Sequence, residues 1–136
     1  MIHRALRVRG WTVDFLFAHR RNDPEGVLAV MRSFGAPESL LAQAEDLMGA
    51  GPNCGFTFSN SDRRLCLSWI GPQTEGREWV NTIVHEIVHV AIAVAVEDGI
   101  DPHTETFAYL VGEITEQVSD LICLLSCDRC RERKND

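Results

Sequence analysis

The sequence predicts an α+β fold in which a small antiparallel β-sheet packs against helices. Three observations predict it. Apolar and polar residues alternate in the N-terminal region, as in half-buried strands. Two short apolar stretches flank turn residues in the middle of the chain, as in a hairpin. The C-terminal half holds two long segments whose apolar residues recur three and four positions apart, as on amphipathic helices.

The N-terminal half is predicted to contain strands and two short helices. Gly10 is expected to break or bulge the first extended segment. Asp23 followed by Pro24 is typical of a helix N-cap, and Gly35 is expected to end that helix. We expect strands at residues 5–18, 54–59 and 63–70, and short helices at residues 24–34 and 37–48.

Two long helices are predicted to complete the chain. The first runs from about Thr74 to Glu97 and ends near Gly99. The second begins between Asp101 and Thr104 and reaches about residue 127, and the connection between them is long enough for antiparallel packing. The 136 residues fit one compact domain over residues 1–130, followed by a polar tail at residues 131–136 that we expect to fray.

Charge and composition exclude several classes of function. The net charge is -7, so electrostatics give no general attraction to nucleic acid or to an anionic membrane. Residues 1–21 are basic, and we interpret this charge as a solvated strand edge. No signal peptide is recognised, and the most apolar stretch, residues 83–96, is too short to span a bilayer. Five cysteines without dense spacing favour the reducing cytoplasm.

The first long helix carries the motif H-E-x-x-H at residues 85–89. Residues four apart lie on one helix face, so His85 and His89 can reach one tetrahedral metal ion. Glu86 lies beside that ion and can take a proton from a metal-bound water. The alternative is that both histidines are ordinary core residues, but ionisable groups on so apolar a helix are costly to bury without a partner such as a metal.

A catalytic zinc site needs a third protein ligand and an open position for water. Glu105, in the first turn of the next helix, fits best, with His103 and Glu113 as the other candidates. Glu105 can instead be a carboxylate that stabilises the helix start. Tyr109 lies one turn after Glu105, where its hydroxyl can donate to a developing oxyanion, or it can be a half-buried packing residue.

The cysteines are weighed separately. Near the C-terminus they have the spacing C-x3-C-x2-C, formed by Cys123, Cys127 and Cys130. A structural zinc site, a disulfide between the last two and inert thiols are all open, with inert thiols favoured. Cys54 and Cys66 belong to the hairpin and are expected to act as small buried hydrophobes.

The segment HEIVH, followed by ETFAY at residues 105–109, resembles the zincin metallopeptidase superfamily in its gluzincin branch. It is especially similar to the compact single-domain metallopeptidases of bacteriophages and prophages, and the similarity covers about residues 80–118. The resemblance implies a Zn²⁺ ion held by His85, His89 and Glu105, with Glu86 as general base. It also implies a cleft beside an edge strand, for which residues 63–70 are the candidate, where a peptide can add as a further strand.

These observations predict a cytoplasmic zinc-dependent metallopeptidase of a bacterial or phage-infected host cell. Zinc would activate a bound water, and Glu86 would pass the water proton to the leaving amine, with Tyr109 helping to hold the oxyanion. The expected partner is a peptide or protein substrate, without nucleic acid or membrane, and the apolar helices leave room for a homodimer. The alternative is a non-catalytic, zinc-stabilised assembly or regulatory protein, phage-derived proteins included, and a third hypothesis is a helical interaction module without metal.

Overall fold

A β-sheet separates two helical layers, and the predicted α+β fold is confirmed. The computed structural model describes residues 1–127. The elements in chain order are β1 (Ile2–Val8), β2 (Trp11–Phe17), α1 (Pro24–Ser33), α2 (Glu38–Met48), β3 (Gly55–Asn60), β4 (Leu65–Ile70), α3 (Gly76–Asp98) and α4 (Glu105–Ser126). The predicted polar tail and Cys130 lie outside the described residues.

Within the described residues the sheet has the strand order β1-β2-β4-β3. The predicted extended segment is two strands, because Arg9 (φ 47°) and Gly10 (φ 81°) form a tight turn between β1 and β2. The two outer strand pairs are antiparallel, of which the hairpin of β3 and β4 was predicted, whereas β2 and β4 run parallel. The sheet is therefore mixed, and the chain crosses over through both short helices and β3 before it returns to β2.

This strand order corrects the expected position of the edge strand. Residues 63–70 were the candidate, but β4 is an interior strand because it pairs with β2 on one side and β3 on the other. The edge beside α3 is β3, and the opposite edge is β1. The basic start of the chain thus lies on an edge strand, as the sequence predicts.

Alternation along the strands divides the core between the two faces of the sheet. Val13, Phe15 and Phe17 of β2 face α3 and α4, whereas Leu16 faces α1 and α2 together with Leu67 and Trp69 of β4. Helix α1 begins as predicted, since the Asp23 carboxylate accepts a hydrogen bond from the Gly26 amide at 3.1 Å. The residues that pack on the two faces of the sheet have almost no solvent exposure, so the strands have little freedom to shift register.

The last two helices lie antiparallel, as the sequence predicts. At one end Gly76 of α3 lies against the Ser126 carbonyl, where a Cβ would have no room. At the other end α3 stops at Gly99 (φ 68°), and the Ile100 amide donates to the Ala95 carbonyl at 2.9 Å. Arg4 of β1 donates to both carboxylate oxygens of Asp120, which fastens α4 over the β1 side of the sheet.

Helix α3 extends at both ends beyond the most apolar stretch of the sequence, residues 83–96. It has 23 residues, and by length and composition it is the one helix within residues 1–127 that qualifies as a candidate to cross a membrane. Half of its most apolar window is buried inside the protein, as in the core helix of a folded domain. Length and composition therefore decide nothing about a membrane here.

Asp98, at the end of α3, accepts hydrogen bonds from two arginines that lie in two different turns of the sheet. Arg9 donates to its carboxylate at 2.8 Å and Arg64 at 3.2 Å. The hydrogen bond from Arg9, with a smaller contribution from Arg64, holds the pKa of Asp98 below its ordinary value although partial burial opposes it. These bonds fix the C-terminal end of α3 against the sheet.

Asp98→Asn is expected to lower the free energy of unfolding at neutral pH by about 1 kcal/mol, the scale of a partly exposed ion-pair cluster. Because the folded-state pKa is lowered, the stabilisation is present above the ordinary aspartate pKa of about 4 and disappears as the pH falls through the folded-state value. Urea denaturation of both proteins across this range measures it. A stability difference that stays constant into strong acid would contradict the ion-pair account.

Candidate metal centre

The four-residue spacing on α3 brings the two histidines of the motif together. The Nε2 atoms of His85 and His89 lie 3.1 Å apart, and both side chains are on the exposed side of the helix. Two nitrogens bound to one tetrahedral zinc ion at about 2.0–2.1 Å are separated by roughly 3.3 Å. The two rings are thus within hydrogen-bonding distance of each other, and the same spacing is close to that of two ligands of a single ion.

Glu86 turns the other way, into the layer between α3 and the sheet. Glu86 is 2% exposed. Its Oε2 atom accepts a hydrogen bond of 2.6 Å from the hydroxyl of Thr57 on β3. The Ser68 hydroxyl on β4, which is fully buried, lies 3.0 Å from the Thr57 oxygen. Since Thr57 uses its proton on Glu86, Ser68 donates to Thr57, and this chain of three groups supplies the buried carboxylate with a partner.

Gly55 lets β3 approach α3 closely enough for this hydrogen bond. A Cβ at this position would lie 3.2 Å from Cγ of Glu86, 3.1 Å from Cγ2 of Thr82 and 2.8 Å from the Trp69 carbonyl oxygen. The last of these distances is shorter than side chains tolerate, and the obstacle is backbone. A side chain at residue 55 would thus push the strand away from the helix that carries the motif.

A small polar cavity opens where β3 begins, and His85 and Glu86 both line it. Its volume is about 220 Å³. Asn81 lies one helical turn before His85 and lines the same cavity. Thr82 donates to Gln73 at 2.8 Å, so part of the wall is held in place. The other lining residues are Asn53, Cys54 and Gly55.

The structure does not bring Glu105 or Tyr109 to the histidine pair. Glu105 is the first residue of α4 and is exposed, and Tyr109 is 75% exposed. A short loop connects α3 to α4, and Glu105 is the first residue of α4. Glu105 is therefore level with the C-terminal end of α3. His89 lies nine residues before Asp98, which is about 14 Å along the helix axis.

The side of α3 on which α4 packs further separates Glu105 from the histidine pair. Helix α4 is fastened over β1, whereas Glu86 contacts β3 at the opposite edge of the sheet. Glu113 is nearly level with His89 in the antiparallel pair, but among the described residues it forms no metal-binding group with the two histidines. His103 is exposed in the loop before α4. Within residues 1–127 no three His, Cys, Asp or Glu side chains form a group that could hold a metal ion, so the third ligand predicted from the sequence is not in place.

Cys66 lies near the site without taking part in it. It is fully buried on β4, and burial raises the pKa of its thiol to about 12, with a further contribution from the charge of Glu86. The thiol is therefore protonated at neutral pH, as befits a small buried hydrophobe. In the hairpin Cys66 lies opposite Ser59, so it does not face Cys54.

Sequence reasoning missed the groups that surround Glu86. Thr57, Ser68, Gly55 and Asn81 carry no motif of their own. A signal was nevertheless present, because Thr57 stands between Phe56 and Phe58 and an alternating strand places it on the opposite face from them. The spacing of Asn81 four residues before His85 also puts it on the motif's face of the helix.

Comparisons with protein-family models, curated proteins and solved structures find no match for this chain. The chemistry of the site therefore carries the interpretation of its function.

Thr57→Val is expected to lower the free energy of unfolding by about 1.5–3 kcal/mol, because it leaves a buried carboxylate without its hydroxyl donor. Thr57→Ser keeps the hydroxyl and is the matched control, which we expect to be less destabilised. Adding Glu86→Leu, which removes the acceptor, to Thr57→Val tests the pairing by a double-mutant cycle in urea denaturation. If Thr57→Val costs as much in the Glu86→Leu background as in the wild type, the hydroxyl does not support this carboxylate.

Proposed function

We propose that this chain is a zinc-dependent metallopeptidase that hydrolyses peptide bonds, with Glu86 as general base. The observation that carries the proposal is the convergence of the His85 and His89 Nε2 atoms to 3.1 Å, beside a cavity that His85 and Glu86 line. A bound zinc ion supplies Lewis-acid chemistry, which activates water and polarises a carbonyl group. His85 and His89 are the residues that would hold it.

Glu86 is suited to proton transfer because its two oxygens have different surroundings. Thr57 holds Oε2, while the hydrogen bonds described for residues 1–127 leave Oε1 uncommitted. One fixed oxygen orients the carboxylate, and the other is available to accept a proton from water and return it to the leaving amine. Burial between α3 and the sheet restricts the orientation of the carboxylate.

Asn81, rather than Tyr109, is the donor that the geometry favours for a substrate carbonyl. The Tyr109 hydroxyl belongs to an exposed side chain on the helix that lies away from the motif's cavity. Asn81 lines the cavity together with His85 and Glu86, and its side-chain amide can donate to a carbonyl oxygen bound there. The oxyanion role predicted for Tyr109 therefore finds no support in this arrangement.

One observation favours the alternative, a non-catalytic zinc-stabilised assembly or regulatory protein. Within residues 1–127 the metal ligands amount to a pair of histidines. Such a pair can bind an ion that tightens α3 without building the full coordination of a catalytic centre. Both functions predict bound metal, so metal content alone does not distinguish them. Only the peptidase needs Glu86 for hydrolysis, so the effect of replacing Glu86 does.

Zinc binding is tested by metal analysis of the purified full chain. We expect stoichiometric zinc in the wild type and its loss in His85→Ala, because one imidazole cannot hold the ion alone. His103→Ala is the matched control, since that histidine is exposed in a loop, and it should retain zinc. Glu105→Ala should also retain zinc. Zinc retained by His85→Ala would rule out the proposed centre, and zinc lost from Glu105→Ala would contradict the separation of that residue from the pair.

Catalysis is tested with Glu86→Gln and a fluorogenic casein substrate. The amide keeps the shape of the side chain but cannot take the proton, so hydrolysis should fall by roughly a hundredfold or more while zinc remains bound. The zinc content of the same preparation is the control for an intact site. Unchanged hydrolysis would exclude Glu86 as the base, and zinc binding without hydrolysis in the wild type would favour the non-catalytic alternative.

A further inference from the structure

We infer that two copies of this chain associate through the outer face of α3, its exposed residues from Val80 to Val96, and share one zinc ion between their histidine pairs. The inference uses the zinc binding of the proposed function but not its catalysis. Three observations carry it: the face is apolar and uncharged, the histidine pair lies in the middle of it, and one chain supplies only part of a coordination set.

The outer face of α3 lacks the charged residues that usually cover a helix exposed to water. Glu86 is the one Asp, Glu, Lys or Arg of α3 between Glu78 and Glu97, and it is buried. Four of the six large apolar side chains that are exposed within residues 1–127 belong to this face. Its exposed members are Val80, Asn81, Val84, His85, His89, Ile92 and Val96. A helix that is apolar on all sides is normally covered on all sides, so this face is suited to a partner.

The neighbouring helix α4 has the surface expected of a solvated helix. Its exposed residues include Glu105, Glu116 and Asp120, and its apolar side chains are turned towards the core. This acidic surface and the net charge of -7 give no attraction to an anionic membrane. The apolar outer face of α3 is therefore better matched by an equally apolar protein surface, and a second copy of the chain offers one.

The histidine pair lies in the middle of this face along the helix. His85 and His89 lie between Val80 at one end and Val96 at the other, with exposed apolar residues on both sides of them. In a contact with two-fold symmetry, residues close to the axis meet their own counterparts in the other copy. An axis through the middle of the face would therefore bring the two histidine pairs together.

One chain supplies half of a tetrahedral coordination set. The Nε2 atoms of His85 and His89 lie 3.1 Å apart, and within residues 1–127 no third His, Cys, Asp or Glu side chain forms a metal-binding group with them. Structural zinc sites in proteins almost always have four ligands. Two histidine pairs related by a two-fold axis supply four, so the second copy completes the set.

The size of the outer face predicts that the dimer depends on the ion. From Val80 to Val96 the face is about 24 Å long and about 10 Å wide, or roughly 240 Å². A stable interface buries about 800 Å² on each partner. Two chains of net charge -7 also repel each other. Apolar contact alone is therefore too weak to hold the dimer, and the shared ion provides the remaining attraction.

The dimer would differ in its chemistry from the proposed enzyme. Four imidazoles on one ion leave no position open for water, which a catalytic zinc site needs. Any hydrolysis would therefore belong to the monomer, and self-association would turn it off.

The test follows the molar mass of the full chain by sedimentation velocity during a zinc titration. Protein stripped of metal with EDTA should sediment as a monomer of 15.2 kDa, and the mass should double as zinc is added up to half an equivalent per chain. His85→Ala should stay monomeric, whereas His103→Ala, which changes an exposed loop histidine, should dimerise like the wild type. X-ray absorption at the zinc edge should then show about four imidazoles per ion.

A second set of variants tests the outer face independently of the zinc ligands. Ile92→Lys places a cation on this face, and its control Ala42→Lys places the same cation on the exposed side of α2, across the sheet. Both variants change the net charge equally, so altered general repulsion cannot explain a difference between them. Ile92→Lys should raise the dimer dissociation constant about tenfold or more, because its ammonium group would be buried in the interface. Val84→Lys repeats this test at another position, and urea denaturation verifies that all three variants are folded.

Three results would overturn the inference: a mass that stays at 15.2 kDa in zinc, a dimer that persists in EDTA or in His85→Ala, or a dimer that both lysine variants of α3 leave equally tight. Flotation with phosphatidylcholine vesicles that Ile92→Lys abolishes would also overturn it, since a membrane would then occupy the face.

The proposed function fails separately from this inference. A chain that stays monomeric, binds one zinc ion and hydrolyses casein through Glu86 would keep the peptidase without the dimer. A zinc-linked dimer that hydrolyses no casein at any dilution would keep the dimer without the peptidase.

Discussion

The hydrogen bond from Thr57 to the buried carboxylate of Glu86 is the interaction on which the site depends. A carboxylate enclosed between a helix and a sheet needs a donor, and β3 provides one at 2.6 Å. This bond fixes the rotation of α3 against the strand, and the rotation in turn leaves His85 and His89 on the exposed side of the helix. The absence of a side chain at Gly55 makes the short approach possible. One contact thus relates the edge of the sheet, the proposed general base and the proposed metal ligands.

Local patterns predicted the helices well because each helix is defined by its own sequence. The apolar spacing around Leu110 and Ile114 marks the face of α4 that is buried, and Asp23 caps α1 as its position before Pro24 indicates. The order of the strands was not predictable in the same way. The parallel pairing of β2 with β4 joins residues separated by two helices and a strand, and no local spacing specifies such a long-range contact.

The site shows the same division between local and long-range information. The histidine pair is set by one turn of one helix, so the sequence predicted it correctly as a pair on a single face. The position of Glu105 depends on where α4 begins and on which side of α3 it packs, and both are tertiary properties. The resemblance to the gluzincin branch rests partly on Glu105, so membership of that superfamily remains a prediction. The cytoplasmic location and a homodimer remain predictions as well.

The central claim is that His85 and His89 bind one zinc ion while Glu86 stays attached to Thr57. A crystal structure of the zinc-loaded protein, with anomalous diffraction at the zinc edge, tests it most directly. The account predicts a single strong peak within bonding distance of both Nε2 atoms and an unbroken hydrogen bond between Thr57 and Glu86. Zinc located elsewhere, or coordinated by Glu86 after that hydrogen bond has broken, would contradict it.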